Sequence, residues 1–271
     1  MKKSSLYRSG VYSQAWIKDF YDQASIWWGA DPQEEGVHPG RVKTVERLCG
    51  KEPKRILELG AGSGTTASAM ADHGHEVVAV ELSPVRANLA KEFTRISRAG
   101  SLAVVEGDFY SVILEGKFDV VCCWETFGLG NDSEQRRLLE RIAREWLKPG
   151  GTVLMDVYNP FCPARNADKQ QVLPPLEGVP GSVEMFNRCR FDPVQCRWID
   201  EWEPTASPQQ ALAQAIRCYS PADLQLLLLG TGLVLKRIEV EDEPLDFQSN
   251  AVRFSGPLLD AWSYLALLSA G

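Results

Sequence analysis

A short apolar run, Ile56-Leu57-Glu58-Leu59, passes straight into Gly60-Ala61-Gly62-Ser63-Gly64, where every second residue is glycine. Thr65 then begins a stretch rich in small residues that reads as a helix. Glycine reaches left-handed backbone angles at no steric cost and lets a ligand lie against the main chain. The first N–H groups of the following helix have no intrahelical partner. Strand, glycine turn and helix in that order predict a nucleotide-binding turn. The spacing also excludes one ligand class. The dinucleotide pattern G-x-G-x-x-G would need glycine where Thr65 stands. Here the pattern is G-x-G-x-G, with an acid, Glu58, two residues ahead of the first glycine.

Around that turn, segments rich in Val, Ile and Leu at 55–59, 75–82, 101–107, 118–124 and 151–158 alternate with helical patterns. Runs that are apolar on both faces are the mark of strands covered by helices on either side. Several helix ends are legible. Ser83-Pro84 supplies a cap and a first-turn proline for a helix closed by Gly100. Asp132 with Gln135 predicts a capping box before a helix that buries Leu138, Leu139, Ile142 and Trp146, and Lys148-Pro149-Gly150-Gly151 ends it. The alternation implies an α/β fold with a parallel, doubly wound sheet.

Two regions break the rhythm. Residues 1–50 carry two helical patterns dense in aromatics: Tyr7, Tyr12, Trp16, Phe20, Tyr21, Trp27 and Trp28. The second starts near Pro39 and sets Val42, Val45 and Leu48 on one face. Residues 159–219 are proline-rich and then strand-like. A β-hairpin is expected from 182–191 and 196–203 around Asp192-Pro193-Val194-Gln195, with a third antiparallel strand at 210–219. Ser220-Pro221 then caps a helix over 222–229, and 233–240 reads as a sixth strand. The last 30 residues are ambiguous, with a possible strand at 251–254 and a leucine-rich tail from Pro257. The expected organisation is a single domain, 1–271, with an N-terminal helical lid at 1–50 and an inserted antiparallel cap at 159–219.

Composition narrows the partners. The formal net charge of -7 disfavours a phosphate backbone as ligand, so no nucleic-acid partner is expected. Lys91, Arg95 and Arg98 read as the solvated face of a helix. No apolar run reaches the roughly 20 residues of a membrane helix, and Met1-Lys2-Lys3-Ser4-Ser5 lacks the apolar core of a signal peptide. No membrane association and a cytoplasmic location are the expectation. The seven cysteines form no C-x-x-C pair, and Cys122-Cys123 sits in an apolar run as reduced core filling. His73 and His75 have no ligand cluster beside them, so no metal is expected.

The glycine turn resembles motif I of the class I S-adenosylmethionine-dependent methyltransferases, and the resemblance extends over residues 55–157. Glu81 ends the second strand in Val78-Ala79-Val80-Glu81-Leu82-Ser83-Pro84, where the family places the acid that takes both ribose hydroxyls. Gly107-Asp108-Phe109 is similar to the segment that reads adenine, with Asp108 toward the amino group and Phe109 against the ring. Phe118-Asp119-Val120-Val121 and Leu147-Lys148-Pro149-Gly150-Gly151 match the fourth-strand and pre-fifth-strand motifs. The resemblance implies a Rossmann-like, seven-stranded methyltransferase sheet. It also implies S-adenosyl-L-methionine as cofactor, with S-adenosyl-L-homocysteine as product. The implied cofactor contacts are Glu58, Gly60, Ala61, Gly62, Glu81, Leu82, Asp108, Phe109 and Trp124. Tyr21, Trp124 and Glu125 are the candidates beside the transferred methyl group.

Several positions keep two readings. Glu58 either organises the loop or reaches the methionine amino group through water. Asp156 either takes part in catalysis or bonds within the core, and Asp119 reads as structural. The N-terminal rings either form a lid over the cofactor, with Tyr21 nearest the methionine part, or pack a helix onto the sheet. Trp124-Glu125-Thr126-Phe127-Gly128 stands where amino-methylating nucleic-acid enzymes carry Asn/Asp-Pro-Pro-aromatic. That departure points to a small-molecule acceptor, methylated on N, O or C, for a monomer or homodimer. A protein or RNA acceptor, or a cofactor-binding subunit without catalysis, is the alternative.

Overall fold

The computed structural model describes residues 15–27, 37–179, 181–248 and 256–271. Tyr7, Tyr12 and Trp28, and the strand expected at 251–254, lie outside them. In chain order come helices α1 (Ala15–Trp27) and α2 (Val37–Cys49), strand β1 (Arg55–Leu59), α3 (Thr65–Asp72), β2 (Glu76–Glu81), α4 (Pro84–Phe93), β3 (Ser101–Glu106) and β4 (Phe118–Phe127). Then follow α5 (Asp132–Arg141), a π-helical turn (Ile142–Trp146), β5 (Leu147–Tyr158) and α6 (Phe161–Arg165). Strands β6 (Gln170–Leu173), β7 (Met185–Asp192), β8 (Arg197–Pro204) and β9 (Leu212–Arg217) come next. The chain ends with α7 (Pro221–Leu228), β10 (Leu233–Val240), β11 (Glu243–Leu245) and β12 (Ser263–Ala270).

The main sheet has the order β11-β10-β12-β5-β4-β1-β2-β3. The first five strands are mutually parallel, and β12 runs antiparallel between β5 and β10. Seven strands make the expected sheet, and the three-residue β11 adds an eighth at the edge. Period-two alternation divides the core between the two faces. Ile56, Val120, Cys122 and Leu154 pack with Val42 and Val45 of α2 and Ala67 and Met70 of α3. Leu57, Leu59, Val121 and Cys123 face the opposite layer, with Leu138 and Leu139 of α5, Trp146, and Leu224 of α7. This is the doubly wound arrangement. All seven cysteines are free thiols, and among the described residues no helix is long and apolar enough to cross a membrane.

Some boundaries differ from the sequence reading, for identifiable reasons. The helix opened by Ser83 ends at Phe93, short of Gly100. The capping box of α5 uses Asn131 and Glu134, one residue earlier than expected. Asp132 is engaged elsewhere: its Oδ1 accepts from Arg217 Nε at 2.9 Å and from the Tyr219 hydroxyl at 2.7 Å. Lys148-Pro149-Gly150-Gly151 lies within β5, in the irregularity between the Phe118–Leu147 and Val120–Thr152 pairs. Helix α7 carries its box at Ser220 and Asp223.

Residues 170–217 form a second, antiparallel sheet in the order β6-β7-β8-β9. Its central hairpin turns at Asp192, whose Oδ1 accepts the N–H groups of Val194 and Gln195. β6 was not foreseen. Two contacts dock this sheet onto the turn that follows β4. The N–H of Arg217 donates to Gly128 O at 2.8 Å, and buried Arg197 donates through Nη2 to Gly130 O at 2.7 Å. Helix α1 buries Ile17, Phe20, Ala24 and Trp27, a stripe at helical spacing.

The sheet depends on β12, whose Leu268 has no exposed surface. Leu268→Ala should lower unfolding free energy by about 2–5 kcal/mol, the cost of a cavity in a packed core. Urea denaturation checks this, and a loss under about 1 kcal/mol would mean β12 is a loosely attached edge.

Candidate active site

The site is built where β1 to β4 end. Leu59 leads into Gly60, Gly62 and Gly64 at φ +71°, +58° and +81°. The N–H groups of Gly60 and Ala61 both donate to Val80 O, at 2.8 and 3.0 Å, fixing the loop to the neighbouring strand. Glu81, at the end of β2, fixes it a second time: its carboxylate accepts Gly62 N–H and Ser83 N–H, each at 2.8 Å. Burial raises the Glu81 pKa, and those two amides pull it back. Gly62 and Gly64 need their missing side chains for different reasons. A Cβ on Gly64 would sit 2.6 Å from Ala90 Cβ, whereas one on Gly62 would meet nothing nearer than Arg86 Nη1 at 3.7 Å.

A cavity of about 610 Å³ opens above this loop. Glu58, Gly60, Ala61, Gly62, Glu81, Leu82, Asp108, Phe109 and Trp124 all line it, as do Tyr21 and Glu125. The structure therefore brings these eleven residues to one cavity, whereas Asp156 does not line it. Asp108 Oδ1 accepts the N–H of Tyr110 at 2.8 Å, and the Phe109 and Tyr110 rings lie 4.7 Å apart. Glu58 is buried, and its Oε2 has no hydrogen-bond partner. Burial pushes its pKa up to about 8, against the pull of the Arg41 guanidinium. Glu125 takes a left-handed φ of +56°, and its N–H donates to Asp156 Oδ2 at 3.2 Å. Burial likewise lifts Asp156 to about 7, with Arg41 opposing and Glu125 reinforcing. Asp156 thus braces the Glu125 backbone from below. Asp119 accepts from Arg55 N–H and Lys148 Nζ, a structural role.

Helix α1 closes one side. Ser83 Oγ donates to Asp22 at 2.5 Å, and Arg86 Nε donates to Ser25 Oγ at 2.9 Å. The same guanidinium lies 5.0 Å from the Tyr21 ring centre. The Tyr21 hydroxyl reaches across to β9 and donates to Gln214 Oε1 at 3.3 Å.

Sequence reasoning missed Arg41, Arg86, Tyr158 and Gln214, all of which line the cavity. Arg41 joins its parts: Nη2 is 3.1 Å from Glu125 Oε2, Nη1 donates to Thr66 Oγ1 at 3.4 Å, and the guanidinium lies 5.5 Å from the Trp124 ring centre. Its only signal was a cation beside the Val42–Val45 face. Arg86 was more readable, in the first turn of a capped helix next to the ribose-type acid.

Residues 40–237 match the model of a family described as a methyltransferase domain. The chain belongs to that family, among the class I S-adenosylmethionine-dependent methyltransferases. The ubiquinone biosynthesis O-methyltransferase of Xanthomonas campestris pv. campestris (strain B100) is 29% identical over 162 residues, covering 56% of this chain and 64% of that protein. The match thus spans less than two thirds of that relative. A cypemycin N-terminal methyltransferase from a Streptomyces species is 37% identical over 123 residues, covering 45% of this chain and 49% of that protein. Among solved structures, the CcbJ methyltransferase from Streptomyces caelestis superposes with a TM-score of 0.70 at 23% identity, over 96% of this chain and 98% of that one, a likeness of fold.

Two predictions follow from the loop and from Glu58. Gly62→Val should abolish binding of S-adenosyl-L-homocysteine while costing stability only about 1–2 kcal/mol of left-handed strain. Gly64→Val should destabilise the fold itself, because its Cβ meets the α4 backbone. Calorimetry and melting of both variants test the contrast, and an unfolded Gly62 variant would refute it. The second concerns pH. Burial raises the folded-state pKa of Glu58 above the ordinary carboxyl value of 4.5. The stability tied to its neutral form is therefore whole below about 4.5 and is lost as pH rises through about 8. Glu58→Gln should melt with a flatter pH dependence between those limits, and parallel curves would show that Glu58 ionises as freely folded as unfolded.

Proposed function

We propose that this chain transfers the methyl group of S-adenosyl-L-methionine to a small molecule. The observation that carries the reading is the Glu81 carboxylate, set at the end of β2 beside Gly62, whose missing Cβ opens onto the cavity. The volume lies within the ordinary range of cofactor pockets. Glu81 would hold the ribose hydroxyls, Asp108 and Phe109 the adenine, and Glu58 with Arg41 the charged amino-acid end. The orphaned Glu58 oxygen, beside a guanidinium, supports that last placement. When bound, the cofactor supplies a methyl group on a cationic sulfur. The aromatic faces of Trp124 and Tyr21 favour such a charge by ~0.5–2 kcal/mol each. Alignment and exclusion of water then do most of the catalytic work, and α1 serves as the lid that provides both.

A second reading has a specific support. The N-terminal methyltransferase among the relatives favours an amine at a chain terminus as acceptor, in place of a free metabolite. Incubation with deuteromethyl-labelled cofactor and metabolite or peptide extracts, followed by mass detection, separates the two.

The cofactor assignment has its own test. Calorimetry should give tight binding of S-adenosyl-L-homocysteine and none of NAD, and equal affinity for NAD would refute it. Glu81→Ala should weaken binding tenfold or more, since charge-assisted hydrogen bonds contribute ~1.5–3 kcal/mol each. Glu81→Gln, which keeps one accepting oxygen, should lose less.

A further inference from the structure

Gln214 of the antiparallel sheet lines the cavity, and its polar contacts link it to Asp200 on β8 and to Tyr21 on α1. Asp200 on β8 stands directly opposite Gln214 on β9 in the ladder. Asp200 is only 4% exposed and does not line the cavity, whereas Gln214 does. Three donors converge on the Asp200 carboxylate: Asn187 Nδ2 at 2.7 Å, Trp202 Nε1 at 2.5 Å and Gln214 Nε2 at 2.9 Å. A carboxylate only accepts, so it holds Gln214 by the amide nitrogen. The amide oxygen is thereby turned outward, where it accepts the Tyr21 hydroxyl proton at 3.3 Å. With that proton committed, Tyr21 offers only lone pairs to the cavity. Burial also raises the Tyr21 pKa, which keeps the phenol protonated. The Tyr21–Gln214 pair thus faces the acceptor with accepting oxygens alone.

We propose that Asp200, acting through Gln214, sets the hydrogen-bonding polarity of the acceptor side, so that the methyl acceptor is recognised by an N–H or O–H on its reacting atom. This rests on the methyltransferase reading above and deepens it. Asp200 is a positioning residue, since it touches neither cofactor nor acceptor. The acceptor's N–H or O–H donates to the Tyr21 and Gln214 oxygens, which leaves a lone pair of the same atom free. That lone pair forms the new bond to the methyl carbon while the carbon–sulfur bond breaks and its electron pair stays on sulfur. The hydrogen held by the oxygens then leaves to solvent as a proton, its bonding pair returning to the methylated atom and cancelling the positive charge there. Primary and secondary amines and hydroxyls meet this requirement. Tertiary amines, thioethers and carbon acids do not.

The test uses the full chain with S-adenosyl-L-homocysteine as the probe, so a failed cofactor reading shows itself separately as absent binding. NMR of the glutamine side-chain amides, with Gln214 assigned by its loss in Gln214→Met, should show a Gln214 N–H bonded to a carboxylate. Asp200→Asn should shift that resonance. The same variant should keep S-adenosyl-L-homocysteine affinity within about twofold while slowing transfer about tenfold or more, the loss of one charge-assisted bond. Adding Gln214→Glu to Asp200→Asn reverses the donor and acceptor of the pair but still turns an oxygen toward Tyr21. The double variant should therefore regain transfer, which a merely structural role for Asp200 would not produce. An unshifted Gln214 resonance in Asp200→Asn would overturn the proposal, whether or not an acceptor is in hand. So would cofactor affinity falling in step with transfer, or an acceptor without N–H or O–H emerging from the mass-detected screen.

Discussion

The Glu81 carboxylate accepts one N–H from the glycine loop and one from the start of α4, and through these two bonds the cavity keeps its shape. Loop and helix also come close at Gly64, where an added Cβ would sit 2.6 Å from Ala90 Cβ. A carboxylate that is 6% exposed needs such partners, because burial without them would leave it protonated or unfold the strand end. The brace also reaches α1. Ser83, whose N–H is held by Glu81, donates its hydroxyl to Asp22 on α1. One turn on, Arg86 holds Ser25 and covers the Tyr21 ring. A ligand hydroxyl arriving at Glu81 therefore enters a network that already spans β1, β2, α4 and α1.

Legibility in the sequence followed the range of the interactions. The five parallel strands and β10 were readable because their apolar runs are short and bounded by turn chemistry. The glycine-loop side of the cavity was readable because glycine spacing and a strand-end acid are local signals. β12 was not. Its burial alternates along the strand, yet Tyr264-Leu265-Ala266-Leu267-Leu268 is apolar at every position, because both faces of the sheet are covered there. Such a run cannot be told from a buried helix by periodicity. The Asn131–Glu134 box lost to Asp132–Gln135 in the reading because both pairs have the same spacing. What decided between them, the bonds from Asp132 to Arg217 and Tyr219, is more than 80 residues away in the chain. Arg41 and Gln214 were invisible for the same reason: a lone polar residue acquires a role only from what the fold sets beside it.

Charge distribution explains why the missed arginines matter. Glu58, Glu81 and Asp156 are all buried enough to have raised pKa values. Arg41 is the cation that offsets two of them, lowering both Glu58 and Asp156. Its bond to Glu125 ties that offset to the strand end where Glu125 adopts a left-handed backbone. Strain of this kind persists only where neighbours enforce it, and here the neighbours are Asp156 beneath the Glu125 amide and Arg41 at its carboxylate.

The two walls of the cavity are thus made by different physics. The wall at the glycine loop is main chain held by glycines and one acid, and it has little freedom to change without losing the fold. From the antiparallel sheet the cavity receives the side chain of Gln214, which can be exchanged without altering the ladder. Yet that sheet is not loosely hung. Arg217 N–H on Gly128 O and Arg197 on Gly130 O couple it to the turn that follows Glu125. A substitution at Gln214 would therefore change the lining of the cavity while leaving the sheet in place. This arrangement lets the side chain at position 214 vary while the glycine loop and the strand ends around it stay fixed.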